Sequence, residues 1–176
     1  MAPPVISVVA KSGTGKTTLL EKLITELKKR GYRVGAVKHD AHNFSIDHEG
    51  KDSWRLTQAG ADTTLITSAG KIAMIKQIPP DREPELSATL ADYTADVDIV
   101  LTEGFKRSTM PKIEVHRRRL SKKLLCRGEH HDPSLFAVAS DGELDLDVPV
   151  YNINDAAGLC DLIVAKFLSA SNTHGK

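Results

Sequence analysis

Cysteine is scarce in this chain of 176 residues: only Cys126 and Cys160 occur, far apart and with no C-x-x-C pair. That excludes a zinc ribbon, a thioredoxin-like redox motif and a disulfide framework, and it fits a reducing compartment. An excess of one charge is also missing, since 24 Lys and Arg face 23 Asp and Glu for a net +1. Nothing in that balance argues for nucleic acid or a membrane surface as the main partner. No stretch approaches ~18 consecutive apolar residues, so no membrane span is expected. The start, Met1-Ala2-Pro3-Pro4, lacks the basic region and apolar run of a signal peptide. There is no internal repeat. These absences predict a cytoplasmic protein built as a single domain over 1–176, with a polar tail at 169–176. At 40% hydrophobic residues the core needs neither disulfide nor metal to hold it.

What is present begins with Val-Ile-Ser-Val-Val at 5–9, a short apolar run that reads as a buried strand. A glycine-bearing turn follows. Leu19, Leu20, Leu23, Ile24 and Leu27 then share one helical face, and Gly31 stops the helix. A second strand is expected at 33–38, a polar loop long enough to suggest a role at 39–50, and a short helix at 51–59. Strands at 63–67 and 72–78, a break at Pro79-Pro80, a helix at 83–94 and a strand at 98–102 come next. The weakly alternating segment 112–116 reads as an outer strand. Strands at 135–139 and 148–151 precede a last helix capped by Asp155, with Leu159, Leu162, Ile163 and Phe167 on one face. Strands alternating with helices predict an α/β fold: a mainly parallel sheet with helices on both faces.

The most specific signal is Ala10-Lys11-Ser12-Gly13-Thr14-Gly15-Lys16-Thr17. It matches G-x-x-x-x-G-K-[ST] at every fixed position but the first, where alanine stands for glycine. Such a loop turns successive backbone N–H groups onto phosphate oxygens, and a Cβ at Gly13 or Gly15 is expected to obstruct that approach. Lys16 supplies a cation to the β and γ phosphates, the Thr17 hydroxyl a ligand for Mg²⁺, and the following helix its positive N-terminus. Strand before and helix after are the context the motif demands. The fold is therefore expected to be of the P-loop nucleoside-triphosphate hydrolase type.

A phosphate loop needs an acidic partner for Mg²⁺ at the end of another strand. Asp98 and Glu103 flank Ile99-Val100-Leu101 and lie about 16 Å apart at ~3.3 Å per residue, so they cannot serve one metal. Ligands of parallel sheets sit at the carboxyl edge, which selects Glu103, with Gly104 letting the chain turn. The same edge logic brings in Lys38, His39 and Asp40. Zinc at His39, His42 and His48 is not expected, because their spacing matches no usual site.

Several segments together resemble one family. They are the loop through Thr18-Leu19, Val37-Lys38-His39 with His42 close behind, Gly50-Lys51-Asp52-Ser53, Ala59-Gly60-Ala61, Thr102-Glu103-Gly104-Phe105-Lys106 and Ala137-Val138-Ala139-Ser140-Asp141. In this order, over about 6–167, the chain resembles the MobB-type molybdopterin-guanine dinucleotide biosynthesis adapter proteins. The resemblance implies a dimer that binds GTP, hydrolyses it weakly, and assists the guanylyltransferase that attaches GMP to molybdopterin. The expected nucleotide contacts are Ser12, Gly13, Thr14, Gly15, Lys16, Thr17, Thr18, Lys38 and His39. Thr17 and Glu103 are the expected Mg²⁺ ligands, Glu103 and Asp40 the expected catalytic carboxylates, and molybdopterin a further candidate ligand. By matched motif, Lys51, Asp52 and Lys106 join the site without an assigned role.

Other readings stay open. The guanine-reading sequence NKxD is absent, and a carboxylate that accepts both guanine N1–H and N2–H is sought in Asp141, with Asp155 second. Lys11 is either an exposed lysine or one that reaches a partner subunit's nucleotide. The basic stretch 117–127 is either a solvated surface or a contact for a pterin phosphate or an acidic partner. Phe105 and Met110 fit a protein-contact patch or plain packing. No glutamine or arginine is placed by motif to drive fast water attack. The alternative class is a P-loop small-molecule kinase whose arginine-bearing lid comes from 117–123.

Overall fold

The computed structural model of the chain describes residues 2–39, 46–79 and 86–169. The chain divides into two compact units, Met1–His39 with Tyr93–Lys176, and Asp40–Asp92.

The first unit is built on six strands: β1 (Val5–Val9), β2 (Val34–Lys38), β5 (Ile99–Glu103), β6 (Lys112–His116), β7 (Leu135–Ser140) and β8 (Val150–Asn152). Their order is β2-β5-β1-β6-β7-β8, and every pairing is parallel. Parallel neighbours need crossovers, and the first is α1 (Lys16–Lys29), which carries the chain from β1 across β5 to β2. One face of the sheet is covered by α1, by α4 (Ala156–Ile163) and by the π-helical turn Val164–Leu168 that ends it. Ile6, Val8, Leu101, Ile113 and Ala137 of the sheet meet Leu19, Leu23, Leu27, Leu159 and Ile163 there, all essentially solvent-free. Each such leucine contributes roughly 1.5–3 kcal/mol of burial. On the other face Val9, Leu135 and Val138 pack against Cys126 and the half-buried Leu124, Leu125, Leu144, Leu146 and Val148, which belong to irregular chain.

Residues 112–116 are not an outer strand. β6 lies between β1 and β7, and all five of its residues are buried. The alternation that looked like a solvent face has another cause. Ile113 and Val115 enter the apolar core, while Lys112, Glu114 and His116 share the opposite face, where Lys112, Glu114 and the Nε2 of His116 find partners and the buried His116 Nδ1 finds none. Lys112 Nζ donates to the Ser108 carbonyl, to Ser134 Oγ at 2.7 Å and to Asp132 at 2.9 Å. Glu114 accepts the amides of Leu125 and Cys126 at 2.6 and 2.9 Å, and His116 Nε2 reaches the Ser121 carbonyl at 3.0 Å. A buried charge is tolerated when it is paired and hydrogen-bonded.

In the second unit a hairpin of β3 (Thr63–Ser68) and β4 (Lys71–Lys76) pairs antiparallel in unbroken register. The short helix α2 (Asp52–Gln58) is tied to it by Thr57 Oγ1 and Thr64 Oγ1 at 3.0 Å. The last helix before β5 is α3 (Leu86–Tyr93); the expected start at residue 83 lies outside the described residues.

Candidate functional site

The phosphate loop leaves the carboxyl end of β1. Ala10, standing where the motif has its first glycine, is fully buried in the core beside Leu19, so a methyl group is accommodated there. Gly13 and Gly15 take φ of +73° and +102°, values that cost most L-residues heavily. A Cβ on Gly13 meets nothing within 4 Å, and one on Gly15 meets only the Arg117 guanidinium at 3.6 Å. Within the chain, then, glycine is demanded by backbone sign rather than by crowding. The Thr14 hydroxyl donates to the Lys11 carbonyl at 2.6 Å and closes the loop.

Helix α1 begins at Lys16 with Gly15 as N-cap, no side-chain cap and no acid in its first turn. Its leading amides are thus left to an outside acceptor, while Lys28 and Lys29 complement the dipole at its far end. Lys16 is half-buried and Ser12, Thr17 and Thr18 are exposed.

Strand β5 runs beside β1 and delivers the acid. Thr17 Oγ1 donates to Glu103 Oε2 at 2.8 Å. Lys38 pairs in register with Glu103 across β2 and β5, and the His39 amide donates to the Glu103 carbonyl at 3.2 Å. Thr17, Lys38, His39 and Glu103 therefore meet at one edge. Asp40 and His42 lie outside the described residues. Asp98, at the far end of β5, is committed to Arg33 at 2.8 Å; the hydrogen bonds from Arg33 hold its carboxyl below the ordinary carboxylate range.

The chain turns sharply after Glu103. Gly104 has φ +105° and Phe105 φ +53°, a left-handed conformation that costs an aromatic residue roughly 1–3 kcal/mol. Local bonds hold it: Ser7 Oγ donates to the Gly104 carbonyl at 2.6 Å, the Gly104 amide to the Val8 carbonyl at 3.2 Å, and Ser108 N and Oγ to the Phe105 carbonyl at 3.0 and 2.9 Å. The Phe105 ring lies against His39 with centroids 4.8 Å apart. Phe105 and Met110 are both half-buried.

Asp141 follows β7 at the same edge. It accepts the Arg118 amide at 2.9 Å and stands 3.9 Å from Arg117 Nη1. Asp155 caps α4, accepting from the Gly158 amide at 2.9 Å. Lys11 Nζ donates to Ser121 Oγ of its own chain at 2.6 Å. Arg127, at the end of the basic stretch, forks onto Asp147 at 2.7 and 2.8 Å. Lys51, Asp52 and Lys106 are exposed.

Two residues make contacts here that the sequence did not disclose, Ser7 and, from within the basic stretch 117–127, Arg117. Ser7, alone among the apolar residues of β1, accepts from Thr102 Oγ1 at 3.1 Å and fixes the turn after Glu103. Arg117 donates from Nε to the Thr14 carbonyl of the phosphate loop at 2.9 Å. Arg117 directly follows β6, so the carboxyl-edge rule that selected Glu103 finds it once β6 is recognised as central.

The donors present fit Mg²⁺. A hydroxyl and a carboxylate are hard oxygen ligands, and Mg²⁺ takes few protein ligands, leaving its other positions to phosphate and water.

A parallel sheet whose first strand opens through a glycine loop into a helix, with an acid from the adjacent strand on the loop's threonine, defines a P-loop nucleotide-hydrolase type of protein. The chain belongs to the family described as molybdopterin guanine dinucleotide synthesis protein B, MobB, whose model matches residues 5–141. The molybdopterin-guanine dinucleotide biosynthesis adapter protein of Escherichia coli strain K12 is 40% identical over 170 residues, covering 92% of this chain and 91% of its own. That of Haemophilus influenzae is 38% identical over 160 residues, covering 91% and 87%. A crystal structure of molybdopterin-guanine biosynthesis protein B matches with a TM-score of 0.72 at 26% identity, over 92% of this chain and 97% of that one. The MobB homologue from Bacillus stearothermophilus matches with a TM-score of 0.64, also at 26% identity, over 92% and 95%.

Proposed function

We propose that this chain is a GTP-binding adapter that hydrolyses GTP weakly and assists the guanylyltransferase attaching GMP to molybdopterin. Its role in molybdenum cofactor biosynthesis follows from its family and from two adapter relatives matched over most of their length. The nucleotide reading rests on one observation above others: Thr17 Oγ1 and Glu103 Oε2 meet at 2.8 Å beside an uncapped helix start. That pair supplies the Mg²⁺ ligands, and the loop amides with Lys16 bind the β and γ phosphates. Bound Mg²⁺ would neutralise charge on phosphate oxygens. Lys38 and His39, at the same edge, are candidates to meet the γ phosphate or a pterin phosphate. Guanine preference and a contact of Asp141 with the base belong to the same proposal. So does a cytoplasmic location, in keeping with the lack, among the described residues, of a helix long and apolar enough to cross a membrane.

A homodimer is part of this reading, and the hairpin supports it. Leu65, Ile72 and Met74 lie on one side of the β3–β4 ladder and are 60%, 73% and 37% exposed. A two-stranded ribbon with a bare apolar side is marginal in water, and a second copy would cover it.

Titration of the protein with GTP, ATP and molybdopterin, with and without the guanylyltransferase, tests the proposal. GTP binding with turnover far below the ~10 s⁻¹ of ordinary enzymes, and stimulation of the transferase, are expected. Robust phosphate transfer to a pterin, nucleoside or sugar would replace the adapter with a kinase.

A further inference from the structure

We infer that Arg117 is a positioning residue of the phosphate loop: its guanidinium sets the orientation of the Thr14–Gly15 peptide and through it the affinity for polyphosphate. This rests on the nucleotide reading above and adds a residue that the loop motif does not contain.

The argument starts from peptide geometry. In a planar trans peptide the C=O and the following N–H point in opposite directions. Arg117 Nε donates to the Thr14 carbonyl at 2.9 Å, so the Gly15 N–H is turned to the side away from Arg117. By the same reasoning the Thr14 hydroxyl, donating to the Lys11 carbonyl at 2.6 Å, orients the Ser12 N–H. The second of these clamps lies within the motif; the first comes from a residue 103 positions away. Gly13 and Gly15 are the residues with the widest choice of backbone angles. A loop containing both loses affinity whenever its amides point apart, and an outside anchor on the peptide between Thr14 and Gly15 limits that freedom.

The anchor itself has a rigid base. Arg117 follows buried His116 of β6. Its carbonyl accepts the amides of Leu120 and Ser121 at 2.9 and 3.1 Å, closing a tight turn. Ser121 is held from two more sides, by His116 Nε2 on its carbonyl at 3.0 Å and by Lys11 Nζ on its hydroxyl at 2.6 Å. The next amide, of Arg118, is bound by Asp141 at 2.9 Å, and the same carboxylate lies 3.9 Å from Arg117 Nη1. The turn thus grips the phosphate loop at Lys11 and at Thr14 while being fastened to β6 and to the residue after β7.

The test uses the full chain, Mg²⁺ and GTP, with Arg117→Met and Arg117→Lys as variants. Arg117→Met is expected to bind Mg²⁺–GTP roughly tenfold more weakly, the weight of one charged hydrogen bond. It should also move the Gly15 amide resonance in the ligand-free protein without altering the melting temperature. Arg117→Lys retains a cationic donor on a long stem and should recover most of both. Wild-type affinity together with an unmoved Gly15 resonance in Arg117→Met overturns the inference, as does a loss that arises only because the variant melts early and that Arg117→Lys does not restore. Wild-type protein that binds no Mg²⁺–GTP overturns the nucleotide reading as well, and the Gly15 resonance then reports whether Arg117 orients the peptide at all.

Discussion

Thr17 Oγ1 and Glu103 Oε2 are 2.8 Å apart although 86 residues separate them in the chain. The contact exists because β5 lies directly beside β1 and ends at the level of the phosphate loop. For Glu103→Gln the expectation is Mg²⁺-dependent GTP hydrolysis lowered roughly tenfold or more, as loss of a charge-assisted contact implies, with GTP affinity largely kept. Steady-state phosphate release against Mg²⁺ concentration checks this. A normal rate would move the acidic role to another carboxylate.

Lys16 sits at the first position of α1 and is half-buried at the mouth of the loop. Lys16→Ala should cost roughly 1.5–3 kcal/mol of GTP binding, about ten- to a hundredfold in Kd. The fold should survive, because α1 is held by Leu19, Leu20, Leu23 and Leu27. Titration with a fluorescent GTP analogue and a thermal melt separate the two effects. Unchanged affinity would refute the phosphate assignment.

The bare side of the hairpin makes its own prediction. Leu65→Asp or Ile72→Asp should convert a dimer to monomer in sedimentation velocity at micromolar protein. Neither change should unfold the first unit, whose core contains no hairpin residue. A wild-type monomer, or a dimer indifferent to both substitutions, would remove the hairpin from the interface.

Acid stability should report on Asp132. Burial opposes its ionisation, but hydrogen bonds from Ser134 and the pairing with Lys112 outweigh that and bring the carboxyl from 3.8 to about 2. A carboxyl depressed in the folded state stabilises above its unfolded pKa and loses that contribution as pH falls through the folded value. The wild type should therefore lose stability between about pH 4 and pH 2 more steeply than Asp132→Asn, which should be less stable at pH 7. Urea unfolding at several pH values measures both slopes; parallel slopes would detach Asp132 from the acid limb.

The family resemblance was legible because the motifs lie in short runs of local sequence. The position of β6 was not. Lys112, Glu114 and His116 alternate with apolar neighbours, and from sequence alone alternation reads as a solvent face. Only their partners in 108–134, among them Asp132, Ser134 and the amides of Leu125 and Cys126, turn that face into buried chemistry. With β6 placed outside, Arg117 stayed one member of the basic stretch 117–127, and its contact with the phosphate loop at the Thr14 carbonyl was not legible. Ser7 was hidden differently: one hydroxyl in an apolar strand has no partner until Thr102 and Gly104 are brought beside it.

The phosphate loop was determined by sequence alone, since its requirements are local: glycines at the two positions of positive φ, a lysine and threonine at the next two, a strand before and a helix after. The alternation of strands and helices likewise dictated a parallel sheet, because parallel neighbours require crossovers. Which strands became neighbours was decided only in three dimensions. That choice delivered Glu103 to Thr17 and Arg117 to the Thr14 carbonyl, contacts about a hundred residues long whose geometry depends on strand order and register rather than on any spacing within the chain.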